Sequence, residues 1–409
     1  MNDATYRLLA LCARVECRPI HYQQIALAAG TSTDWEEVLA QAEMHRLSPL
    51  LYAHLRAADV PIPATVKREL RLRSMRHLLA NQVRMRVLCD ILSAYDAARI
   101  PVLVLKGAAL SHTVYPDISL RPMSDLDILV PASEAHRAQQ ALAELGFEVP
   151  SLSGSMLHHR HLAEVTMYVE ETPVTVEVHH RLCSDYFDSA FSYIRTTLIG
   201  RQTKGDRRQM ALDGLTGPPY PFTVGGLTAY TLGHEDTLGY LCWHLTSHVN
   251  AWDFGRLIWM ADIVGVAERF AAEIDWDRVR RQSPAVLRML SLLHFMTPLS
   301  DELLERASIK IGKAPEGIGV EFQGWPQVHY RHRENWRRRT VLQDTLFPSE
   351  WWLRLRYSLG SACPLFFYRW VRHPLYIAGQ VVRALLEWLG WPKALELTGR
   401  HTAGTAQPQ

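Results

Sequence analysis

No charge of one sign dominates this chain: 44 lysines and arginines stand against 42 aspartates and glutamates in 409 residues, a formal net charge of +2. Such a balance gives no strong nucleic-acid signal, because phosphate backbones are held by an excess of basic side chains. Cysteine is scarce. The six present (Cys12, Cys17, Cys89, Cys183, Cys242 and Cys363) show no C-x-x-C spacing, which argues against a zinc ribbon or a disulfide framework and suits a reducing, cytoplasmic setting. No uninterrupted apolar run is long enough to span a bilayer, and the first residues lack the charged-then-apolar order of a secretory signal. The glutamate of H-E-x-x-H is also missing. His244 and His248 have helical i, i+4 spacing, but Leu245 follows His244, so a pocket-facing or core helix is a better reading than a metalloprotease.

The informative stretch is Arg121-Pro122-Met123-Ser124-Asp125-Leu126-Asp127-Ile128-Leu129-Val130. It reads as a turn running into a strand, with Leu126, Ile128 and Val130 on one face and Asp125 and Asp127 on the other. Two adjacent carboxylates on a strand face repel each other, and a divalent cation such as Mg²⁺ relieves that repulsion through hard oxygen ligands. A solvated Asp pair at a strand end is the plainer alternative, and D-x-D alone is common. Upstream, Val102–Leu105 forms an apolar strand followed by Lys106 and Gly107, a strand-to-helix switch where backbone approaches a ligand closely and helix N–H groups face phosphate. Downstream, Val174, Val176 and Val178 alternate with Thr175, Glu177 and His179, which brings up a third carboxylate, Glu177. His179 shares the Glu177 face, where it can touch substrate or metal; a packed or surface histidine is the commoner role.

These residues resemble the nucleotidyltransferase fold superfamily, the polymerase-beta-like group, and more narrowly a bacterial family labelled uncharacterised nucleotidyltransferase. The resemblance rests on Leu105-Lys106-Gly107, Tyr115-Pro116-Asp117, the Arg121–Val130 block, Gly146-Phe147 and Val176-Glu177-Val178-His179, and covers about residues 5–300. It implies an α+β chain: a small mixed-sheet core flanked by N-terminal and C-terminal helical regions. It also implies two Mg²⁺ ions, with Mn²⁺ as a substitute, held by Asp125, Asp127 and Glu177 as metal ligands and catalytic residues, and an NTP as co-substrate. Lys106, Gly107, Arg121 and Ser124 would bind the nucleotide. The superfamily turn is often Gly-Ser or Gly-Gly, whereas this one is Gly107-Ala108. Ala108 offers no hydroxyl, so Lys106 either supplies a positive charge instead or sits exposed. Arg121 either clamps phosphate or pairs with Asp125 or Asp117.

The expected organisation is an N-terminal helical region over 1–98, an α/β core over 99–200, a helical pocket domain over 201–300, and an aromatic, basic C-terminal region over 301–409 with a disordered tail. Thr33 or Asp34 caps a helix, and in His45–Tyr52 helix restarts after Pro49. A long helix runs from Thr65 towards Ala98, with Arg68, Arg71, Arg73, Arg76, Arg84 and Arg86 as a solvated face. Ser133 caps a helix that stops at Gly146, and Phe147–Val149 forms a short strand. The cluster His158, His159, Arg160 and His161 reads as a loop rather than a zinc site, lacking a Cys or carboxylate at ligand spacing. A hairpin turns at Glu171-Thr172. Trp252–Phe270 forms a helix on which Arg256 and Asp262 either pair with each other or reach the base and acceptor. Near the C-terminus, Trp351–Tyr357 and Leu365–Trp391 mix aromatics with arginines, so a peripheral contact with anionic lipid and ordinary packing both stay open.

The expected reaction is transfer of an NMP group, from ATP or another NTP, to an acceptor hydroxyl or phosphate with release of pyrophosphate. A small metabolite, an antibiotic, a sugar or peptide intermediate and a protein side chain all fit as acceptor. The alternative is a catalytically silent fold serving as a nucleotide sensor or partner-binding module.

Overall fold

The computed structural model describes residues 3–31, 34–149, 161–182, 215, 217–251, 255–320, 322–325 and 338–388. Thr33, the histidine cluster at 158–160, Trp252, the stretch around Trp336 and the tail from 389 lie outside the described residues.

Five helices come first: α1 Asp3–Cys12, α2 Pro19–Thr31, α3 Trp35–Met44, α4 Ser48–Ala57 and α5 Ala64–Ala97. Asp34 caps α3 by accepting a hydrogen bond from the Glu37 N–H at 2.9 Å. The α/β core follows: β1 Leu103–Leu105, α6 Lys106–Thr113, β2 Asp125–Leu129, α7 Ala135–Glu144, β3 His161–Val169 and β4 Thr172–His179. These strands form a four-stranded mixed sheet in the order β1-β2-β4-β3, antiparallel except for the parallel pair β2–β4. A two-stranded hairpin, β5 Tyr220–Val224 and β6 Leu227–Thr231, precedes helices α8 His234–Ala251, α9 Leu257–Arg269, α10 Trp276–Gln282, α11 Pro284–Leu293 and α12 Asp301–Arg306.

By compactness the chain forms two units, residues 1–184, 206–321 and 349–363 in one and the remainder in the other. In the first, one face of the sheet (Val104, Leu126, Ile128, Val130, Val174, Val176 and Val178) packs on Val87, Leu88, Ile91 and Tyr95 of α5 and on Ala138 and Leu142 of α7. Each such aliphatic side chain contributes roughly 1.5–3 kcal/mol by leaving water. On the opposite, site-bearing face, Leu103, Leu105 and Leu129 meet Leu182, Leu232 and Tyr240. Arg14, wholly buried, ties the early helices to the later ones through Glu268 on α9 at 2.6 Å and Thr297 at 2.8 Å. Helix α14, Glu350–Arg356, belongs to the same unit; Trp351 and Trp352 are buried, and Arg354 pairs with Glu350 at 2.7 Å. The second unit contains α13, Arg338–Leu346, and α15, His373–Trp388, with Phe366, Trp370, Leu375 and Leu385 exposed. Among the described residues no helix is long and apolar enough to cross a membrane.

Several local expectations need correction. Ser133 does not cap α7: a 3-10 turn, Ala132–Glu134, leads in, and Glu134 holds the cap position without a side-chain bond. Phe147–Val149 is not a strand; Phe147 is a buried core residue just after Gly146, whose φ of +93° ends the helix. The β3–β4 turn falls at Glu170-Glu171, both left-handed (φ +48° and +63°), one residue earlier than expected. The stretch from 220 to 231 is a hairpin, not helix, turning on Gly225 and Gly226 with φ +55° and +81°. The helix expected over Trp252–Phe270 is described as Leu257–Arg269. Finally, Arg84 does not share the solvated face of α5: it is 7% exposed, while Arg68, Arg71, Arg76 and Arg86 are exposed.

Candidate active site

Strand register builds the site. Asp127 lies opposite Leu105 on one side and Glu177 on the other, and Asp125 lies opposite Thr175. Alternation then puts the Asp127 and Glu177 side chains next to each other on the face away from the α5–α7 core. Lys106, immediately after Leu105, enters α6 with φ +46°. That left-handed turn costs a non-glycine residue about 1–2 kcal/mol.

The ammonium of Lys106 sits 2.5 Å from Asp127 Oδ1 and 3.9 Å from Glu177 Oε2. Lys106 does not sit exposed: its side chain is 11% exposed. Its pKa is raised above the ordinary lysine value; burial opposes the charge, but Asp127, with Glu177 and Asp125 behind it, outweighs burial. His179, fully buried at the end of β4, brings Nε2 to 2.9 Å from Asp127 Oδ1 and 3.3 Å from Glu177 Oε2. Glu177 has its pKa lowered to about 2: burial works against ionisation, and the hydrogen bond from His179 and the charge of Lys106 more than offset it.

Asp127, Glu177 and His179 each offer one ligand atom, all within 4.8 Å of one another. Two hard carboxylate oxygens and an imidazole nitrogen fit a divalent cation such as Mg²⁺ or Mn²⁺. Of the three expected acids, Asp127 and Glu177 therefore come together. Asp125 is outside that group, although its charge still acts on Glu177 and Lys106. The strand alternation had put His179 on this face, yet nothing in its spacing singled it out as the third donor.

Arg121 is placed differently from either expectation about its pairing. It binds neither Asp125 nor Asp117; its Nε and Nη2 donate to the two carboxylate oxygens of Asp262 on α9, both at 2.7 Å. Tyr115 donates to the same carboxylate at 2.7 Å. Asp262 thus takes Arg121 in place of the Arg256 proposed from sequence. Burial opposes the charge on Arg121, but Asp262 raises its pKa beyond the usual arginine value. Gly107 serves this contact: a Cβ there would come within 3.3 Å of Arg121 Nη1 and Met123 Cβ. Ser124 is half-buried just before β2, and Ala108 is buried inside α6. A small cleft lies against Lys106, lined also by Leu110, Tyr220, Leu232, Tyr240 and Phe270. His244 and His248 pack beside Trp259 with their ring centroids 4.4 Å apart and their planes tilted by 56°, and no metal-ligating trio among the described residues includes them.

A strand-borne acidic pair next to a strand-to-helix turn, in a small mixed sheet flanked by helices, is the core of a nucleotidyltransferase-type α+β protein. The family model described as uncharacterised nucleotidyltransferase matches residues 31–305, and the chain belongs to that family. No curated protein matches it. Among solved structures it is similar to the antibiotic-resistance factor ANT(2'')-Ia in solution (12% identity over 53% of this chain and 97% of that one, TM-score 0.33). ANT(2")-Ia in complex with adenylyl-2"-tobramycin gives 11% identity over 50% and 97%, TM-score 0.32. An antigenic nucleotidyltransferase-like protein from Paracoccidioides brasiliensis gives 15% identity over 56% and 94%, TM-score 0.33.

Proposed function

We propose that the protein transfers a nucleotidyl group from an NTP, with ATP the first to test, to an acceptor hydroxyl or phosphate. The observation that carries this reading is the convergence of Asp127, Glu177 and His179 in a chain of the nucleotidyltransferase family. In the reaction an acceptor oxygen attacks the α-phosphorus, the bond from that phosphorus to the bridging oxygen breaks, and pyrophosphate leaves. Asp127, Glu177 and His179, with Asp125 alongside, would hold divalent cations such as Mg²⁺, which would lower the acceptor's pKa and offset the leaving charge. Glu177, kept ionised by Lys106 and His179, is available as a carboxylate ligand beside the acceptor. His179 orients the Asp127 carboxylate through its 2.9 Å contact. Lys106 neutralises the acidic pair until phosphate and cation enter, and then turns its ammonium towards phosphate. Little covalent chemistry is asked of the protein; position and charge supply most of the rate.

The test is a screen of NTPs against acceptors with Mg²⁺ or Mn²⁺, read by pyrophosphate release, with Asp127→Asn and Glu177→Gln as controls. Release that either variant abolishes supports transfer. Release that both variants retain defeats it. A second reading has its own observation: Ala108 stands where a phosphate-binding hydroxyl is expected, and Lys106 already engages the acids. Tight NTP binding without pyrophosphate release from any pair would favour the silent sensor.

A further inference from the structure

Arg46, Arg84 and Arg121 lie within electrostatic reach of Asp125 at the start of β2, and among the described residues only Arg121 of these three has an ion pair. Arg121 is neutralised by Asp262. Arg84, on α5, is 7% exposed; its guanidinium donates to the Pro173 carbonyl at 3.2 Å, and its buried Nε has no hydrogen-bond partner. Pro173 sits two residues before Thr175, the register partner of Asp125. One turn earlier on α5, Asn81 donates to the carbonyls of Ile118 and Arg121, at 2.7 and 3.0 Å, and fixes α5 against the segment leading into β2. Arg46 comes from the link between α3 and α4, half-buried, with φ +57°. Its neighbour His45 accepts a hydrogen bond from the Leu257 N–H through Nδ1 and one from the Ile258 N–H through its carbonyl. Those bonds seat Arg46 against the start of α9, where Arg256 holds the N-cap position and lies over Trp259 at 5.3 Å.

Two separate segments therefore bring Arg46 and Arg84 within reach of the Asp125 carboxylate, with Arg256 beside Arg46. Burial lowers the pKa of Arg46, the charge of Arg256 lowers it further, Asp125 pulls the other way, and Arg121 and Arg84 add to the repulsion. Burial likewise lowers Arg84, with Asp125 opposing. Among the described residues neither Arg46 nor Arg84 has an ion pair. Holding like charges together out of water is costly unless an anion joins them. Planar guanidiniums are suited to bidentate contact with phosphate oxygens.

We infer that Arg46 and Arg84 form a seat for the triphosphate tail of the nucleotide beside Asp125. The seat would supply from the helical regions what the Gly107-Ala108 turn lacks. This inference rests on the proposed nucleotidyl transfer, but its test does not need turnover. Wild type, Arg46→Met and Arg84→Met are titrated calorimetrically with Mg·ATP and with inorganic tripolyphosphate, and each ligand-free protein is melted. Losing one charge-assisted contact should weaken both ligands about tenfold or more. Ligand-free Arg46→Met should melt no lower than wild type, because a repelled charge has been removed; an arginine with a purely structural role would lower the melting temperature. Arg46→Met keeps the experiment decisive even if Arg84→Met, which also loses the Pro173 contact, fails to fold. Unchanged affinities in the variants, or wild type that binds neither ligand, would overturn the seat. Tripolyphosphate binding that needs Arg46, in a protein that releases no pyrophosphate from any NTP, would leave the seat standing and remove the transferase reading.

Discussion

The Lys106 ammonium approaches the Asp127 carboxylate to 2.5 Å and stands 3.9 Å from Glu177, and His179 meets the same two oxygens at 2.9 and 3.3 Å. Lys106 therefore puts a positive charge beside the acids that could hold a metal ion. On the proposed reading the lysine and the metal would compete for these oxygens, and removing the lysine tests that.

Lys106→Met leaves Asp127, 2% exposed, without its strongest partner. Breaking such a buried pair should cost about 3–5 kcal/mol. Added Mn²⁺ or Mg²⁺ should restore much of that loss, because binding to the native state adds its own free energy. Melting curves with and without metal check this: the metal-induced rise should be larger in the variant than in wild type. An equal rise in the two proteins would show that Lys106 and the cation do not share the site.

His179→Asn should keep the fold and weaken metal binding about 10- to 100-fold, the usual cost of losing a ligand's supporting imidazole or a third donor. Titration with Mn²⁺, read by calorimetry, gives the number. An unchanged affinity would confine His179 to packing, the role a buried histidine most often has.

His45 gives a pH dependence. Burial and the charge of Arg256 lower its pKa from 6.5 to about 4, so the folded state keeps it neutral, as an acceptor for the Leu257 N–H. A base whose folded pKa is depressed stabilises the fold fully above the unfolded value. That contribution is lost as pH falls from about 6.5 towards 4, because only the unfolded chain gains a proton there. Its size is at most on the order of 2–3 kcal/mol. His21 shifts in the same direction, so wild type alone does not isolate the effect. The gap in unfolding free energy between wild type and His45→Gln should narrow as pH drops through that window. A constant gap from pH 7 to 4 would mean that His45 titrates normally.

Residues on strands were the most readable from sequence. A period of two fixes which face each side chain takes, so Leu126, Ile128 and Val130 against Asp125 and Asp127, and the Glu177 face, followed directly. The β5–β6 hairpin was equally open to reading, since Gly225-Gly226 separates two alternating runs; the strong helical pattern after 234 drew the boundary too early. Long-range pairing was not legible: nothing local ties Arg121 to Asp262, 141 residues away. Burial of single charges was hidden as well. Arg84 looks like its exposed neighbours on α5 until the fold brings it to the Pro173 carbonyl at the start of β4. The left-handed turn at Lys106 leaves no compositional trace, because it is imposed by the strand before it and the acids beside it.

Arg121 and Asp262 give the most demanding test of how the site is supported. Both are nearly fully buried, joined by two hydrogen bonds of 2.7 Å, with Tyr115 as a third partner. Removing either charge alone strands the other, so Arg121→Met and Asp262→Leu should each cost about 3–5 kcal/mol. The double variant removes both desolvation penalties and should be less destabilised than the sum of the two, a coupling on the order of 1–3 kcal/mol. Urea unfolding of the four proteins measures it. The pair also leans on Gly107, so Gly107→Ala should push Arg121 and Met123 aside at a cost of about 1–3 kcal/mol, the range for overpacking. If that strain reaches the site through Arg121, Gly107→Ala should weaken Mn²⁺ or nucleotide binding in wild type and leave the already disrupted Arg121→Met background unchanged. Additive effects in both backgrounds would place Gly107 outside this support.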